Sequence, residues 1–121
     1  MIRLESFVRG RWVAGAAAGR PFCDPTTGEV LGHVDWTGVD CAEALRHARE
    51  VGGPALAALI DEARGALLGR IADVLAAERE RWFDIARRNS GNTLRDAAID
   101  VDGAIGTLRY YARLAKTLGP G

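Results

Sequence analysis

Val30-Leu31-Gly32-His33-Val34 is the last stretch of this chain that alternates as a strand does. From Thr37 onward the apolar residues recur every three or four positions. Strands first and helices after give an α+β chain that is mostly helical.

The strand part reads as two hairpins. In "ESFVRGRWVAG" the apolar pairs Phe7-Val8 and Trp12-Val13 flank Arg9-Gly10-Arg11, and Gly10 can adopt the positive φ of a tight turn. In "RPFCDPTTGEVLGHV", Pro25 pushes Asp24 toward extended geometry, and Gly28 suits a left-handed position. Between the hairpins, "AGAAAGR" (14–20) reads as a small flexible loop.

The helical part has legible boundaries. Thr37 with Asp40 resembles a capping box, and Cys41, Ala44, Leu45 and Ala48 then share one helical face. Gly52-Gly53-Pro54 ends that helix, and 55–59 make at most one further turn. Asp61 is placed to cap a helix whose stripe is Leu67, Leu68, Ile71, Val74 and Leu75. Trp82, Phe83, Ile85 and Ala86 form another apolar face, closed by Gly91 as a left-handed cap. Thr93 with Asp96 starts the last helix. Its stripe runs Leu94, Ala97, Ala98, Val101, Ile105, Leu108, Ala112 and Ala115, and "GPG" stops it. Gly103 and Gly106 each cost that helix about 1 kcal/mol against alanine. A close crossing by the 67–75 helix, or by a central sheet, is therefore expected there.

Composition narrows function mainly by exclusion. The 121 residues suffice for one domain. Sixteen basic residues, all arginine except Lys116, balance sixteen acidic ones, so nothing advertises nucleic acid. "MIRLESFVRG" carries charges where a signal peptide needs an apolar core, and no run approaches the roughly 18 apolar residues of a membrane helix. A cytoplasmic chain with both thiols reduced is expected.

No catalytic, cofactor-binding or metal-ligating residue emerges. "GAAAGR" lacks the Lys-Ser/Thr of a phosphate loop and precedes a strand, while Gly103-x-x-Gly106 lies inside a helix. Cys23 sits in an extended run beside Asp24, with no base or helix start to activate it. Cys41 falls on an apolar stripe, where a small buried cysteine is the expected role. His33 and His47 have no third metal ligand at a suitable spacing. The run Glu78, Arg79, Glu80, Arg81, Arg87 and Arg88 reads as a solvated face.

Taken in order, the segments resemble a known family. "FVRGRWVAG", then "DPTTGEVLGHV", then a capped Ala-rich helix are similar to the N-terminal opening of aldehyde dehydrogenases, with Asp24-Pro25 where the family usually has Asn-Pro. "RGALLGRIADVLAAERERWFDIARRNSGNTLRDAAIDVDGAIGTLRYYARLA" resembles the continuation, with "NSGN" in place of "E-T-G-K". "DVDGAIGTLRYYARLA" is closest to the branch oxidising CoA-linked semialdehydes from aerobic phenylacetate and benzoate breakdown.

The resemblance implies one incomplete domain of a Rossmann-like enzyme. Residues 1–36 would belong to the oligomerisation region and residues 37–121 to the helical part of the cofactor-binding domain. It implies NAD or NADP for the full-length enzyme and none bound by this chain alone. The catalytic cysteine, glutamate base, oxyanion-hole asparagine and glycine turn would lie after Gly121, so the chain alone is expected to be inactive. The implied partners are the remainder of such a chain and further copies in a homo-oligomer, with no nucleic acid and no membrane. In this reading Leu67, Ile71 and Leu75 pack on later elements, and the chain alone should self-associate or be marginally stable. The alternative is a stand-alone helical interaction module.

Overall fold

The computed structural model describes residues 2–118, which divide into two compact units between Ala55 and Leu56. In the first unit, β5 (Val30–Val34) is the middle strand of a three-stranded sheet. β4 (Arg20–Cys23) pairs antiparallel to it, with Arg20 opposite Val34 and an irregularity at Phe22/Cys23. The connecting turn is held by Asp24, whose Oδ1 accepts from the Thr26 and Thr27 N–H groups, while Gly28 at φ 76° donates to the Asp24 carbonyl. This is the hairpin expected from its turn residues.

On the other side of β5 lies β1 (Ile2–Leu4), parallel to it, with Ile2 opposite Gly32. Local alternation gave no sign of β1, because it is three residues long and its partner lies about thirty residues away. The pairing depends on Gly32: a Cβ there would lie 2.4 Å from the Ile2 carbonyl oxygen and 2.9 Å from the Phe22 ring. The second hairpin joins β2 (Ser6–Val8) to β3 (Arg11–Val13). Its turn residues Arg9 and Gly10 have φ of 54° and 77°, the two positive values that match strand twist.

Helix α1 (Cys41–His47) begins later than expected. Asp40, not Thr37, is the cap, and its carboxylate accepts from the Glu43 N–H at 2.9 Å. Thr37 is already engaged with Asp35. Nor does Gly52-Gly53-Pro54 end the helical path. A π-helical turn, Ala48–Gly52, closes through the Gly53 N–H to the Ala48 carbonyl and leads into α2 (Gly53–Ala57). Pro54 falls in the first turn of α2, where a missing N–H removes no intrahelical bond. The face of α1 expected to be apolar and buried is not covered: Cys41 and Leu45 are exposed.

The second unit is built on α3 (Asp61–Ala77), α4 (Arg79–Ser90) and α5 (Leu94–Leu114). Ile60, in extended conformation, precedes α3 without a side-chain cap; Asp61 is instead the first helical residue and pairs with Arg64 at 3.5 Å. Where α3 meets α5 the contact is made by small residues. A Cβ on Gly65 would lie 2.6 Å from the Ala115 Cβ and 3.0 Å from the Ala112 carbonyl oxygen, and Ala72 is fully buried. The expected stripe of large residues on α3 therefore faces elsewhere: Ile71 is 49% and Val74 63% exposed.

Helix α5 buries the expected stripe at Ala97 and Ile105, while Leu94 stays exposed. Thr93 caps α5 by accepting from the Asp96 N–H, and Gly91 closes α4 at φ 69°. The crossing expected at Gly103 and Gly106 is absent among the described residues, where apart from the local backbone and chain neighbours nothing lies within 4 Å of a Cβ built on either glycine. The close approach occurs at Gly65 instead. Helix α5 passes into a 3₁₀ turn, Ala115–Thr117, and the expected stop at "GPG" lies outside the described residues. Phe83 anchors α4 in the core, and Arg79 clamps α4 to α5 with two 2.7 Å hydrogen bonds to Asp102.

Candidate functional site

The residues weighed for chemistry do not converge. Cys23 and Cys41 are free and exposed, so Cys41 is not the small buried cysteine its stripe suggested. His33 lies in β5 opposite Pro21 of β4, and His47 ends α1. Among the described residues no three His, Cys, Asp or Glu side chains group as metal ligands. In the charged run, Arg79 is more than solvated. Its guanidinium lies 4.1 Å from the Phe83 ring centre, and Asp102 beside it raises its pKa while Arg79 lowers that of Asp102.

The loop at residues 14–20 is not slack, because a carboxylate organises it. Asp35, nearly buried, accepts from the Ala17 N–H at 2.6 Å and from both the N–H and hydroxyl of Thr37 at 3.0 and 2.7 Å. Arg3 donates to the carbonyls of Gly15 (2.6 Å) and Ala17. A Cβ on Gly15 would lie 2.3 Å from the Asp35 carboxylate, so the small residues are there to let the loop close on it. The Thr37 hydroxyl, then the Thr37 and Ala17 N–H groups, hold the Asp35 pKa below its usual value against the opposing effect of burial. The available signal was Asp-x-Thr directly after a strand, a local side-chain-to-backbone pattern.

This arrangement tests whether the loop could hold a dinucleotide phosphate. The Ala17 N–H is taken by a carboxylate, an anion that would repel phosphate, and the loop runs into β4 rather than a helix. The residues present do not fit that group.

What the second unit offers is a surface. A groove of about 650 Å³ is lined by Leu56, Ala57, Arg64, Leu67, Leu68 and Ile71, and the apolar face continues over Val74 and Leu75. Arg64 is its polar member: Nε and Nη2 donate to the carbonyls of Leu56 and Ala57 at 3.1 and 3.2 Å, closing the end of α2. Such a face can bind apolar protein surface and holds no nucleophile.

Comparison with known proteins places this geometry. Residues 12–120 match the model of the aldehyde dehydrogenase family. The chain is 50% identical, over 99% of its length, to 3,4-dehydroadipyl-CoA semialdehyde dehydrogenase of Aromatoleum evansii, and 33% identical over 93% to retinal dehydrogenase 2 of Mus musculus. It spans 23% of the length of each. It also superposes, with a TM-score of 0.76 and 26% identity, on a crystal structure of a point mutant of betaine aldehyde dehydrogenase from Staphylococcus aureus in complex with NAD⁺, covering 88% of this chain and 22% of that one. Sequence and backbone agree over nearly the whole length, and the chain belongs to the aldehyde dehydrogenase family.

Proposed function

We propose that the chain is the N-terminal segment of an NAD(P)-dependent aldehyde dehydrogenase that oxidises a CoA-linked semialdehyde from aromatic-acid breakdown to its carboxylic acid. One observation carries the substrate class: 50% identity to a CoA-semialdehyde dehydrogenase, against 27% to the 2-aminomuconic semialdehyde dehydrogenase of Bos taurus and 33% to retinal dehydrogenase 2. In this reading the nucleophile, the base and the dinucleotide site lie in polypeptide outside these residues, and NAD or NADP, when bound there, accepts the hydride. Residues 1–36 serve the oligomerisation region of a cytoplasmic homo-oligomer, and residues 37–121 the helical exterior of the cofactor-binding domain. The chain's own residues supply order: Asp35 and Arg3 fix the first loop, and α3 presents an apolar face for cover.

The test joins residues 1–121 to the remaining three-quarters of the Aromatoleum evansii relative. The joined enzyme is expected to form NAD(P)H from a CoA-linked semialdehyde at a rate within about tenfold of the relative's, and the 121-residue chain alone to form none. Equal activity on short free aldehydes would remove the proposed substrate class, and reduction of the cofactor by the chain alone would refute the division of labour.

A further inference from the structure

We draw no further inference here: the strongest candidate, the apolar face of α3 over Leu67, Ile71, Val74 and Leu75, carries none because nothing in the structure shows what covers it.

Discussion

At the scale of single residues, the glycines of this chain separate into those the packing needs and those it does not. Gly65→Ala pushes a methyl group into Ala115 and the Ala112 carbonyl, two backbone-borne neighbours that cannot swing aside. Overpacking of this kind costs about 1–3 kcal/mol, and the urea midpoint of the variant is expected to fall accordingly. Gly106→Ala meets open space in the middle of α5 and is expected to stabilise by about 1 kcal/mol. A destabilised Gly106→Ala would reinstate the close crossing that the sequence suggested there. Asp35 makes a prediction in pH. Its carboxyl titrates below the usual 3.8, so protons bind the unfolded chain more readily than the folded one. Its contribution is complete above that value and is lost as pH falls through the lower, folded-state one. Asp35→Asn should lower stability at neutral pH and flatten the acid limb of a midpoint-versus-pH curve. An unchanged acid limb would show that the loop does not depend on the ionised carboxylate.

At the scale of elements, the tight turns and the cap of α5 were legible, whereas the caps expected at Thr37 and Asp61 were not. Thr37 is engaged by Asp35, and Asp61 is already the first helical residue. Thr93→Ala removes the acceptor for the Asp96 N–H and should cost about 1 kcal/mol, measurable as a lower midpoint without a change in slope. The tight turns at Gly10 and Gly28 and the left-handed cap at Gly91 were legible because few other residues take those backbone angles. Three features were hidden. β1 pairs with residues about thirty positions away, beyond any local pattern. The Asp35 network depends on three chain segments meeting. Helix α3 misled by its composition: the eye follows leucine and isoleucine to a core, but here glycine and alanine make the helix contact because they let two backbones come close.

At the scale of the whole molecule, family and fold class could be read from the order of short motifs, although no single motif carried either. Among the described residues the fully covered apolar side chains are small, with Ala72 and Ala97 the most deeply buried. That is what a family segment spanning under a quarter of its relatives would show if its main apolar partners lay in other polypeptide. Trp82, on the apolar face of α4 beside Phe83, has a practical consequence here. Trp12 and Trp36 stand largely in water, whereas the Nε1 of Trp82 is buried and has no acceptor among the described residues. This half-buried indole should emit at a shorter wavelength and quench less with iodide than the two exposed ones. With Trp12 and Trp36 replaced by phenylalanine, the remaining fluorescence becomes an optical gauge of the helical unit alone. It would show whether residues 56–121 melt in step with the rest of the chain or apart from it.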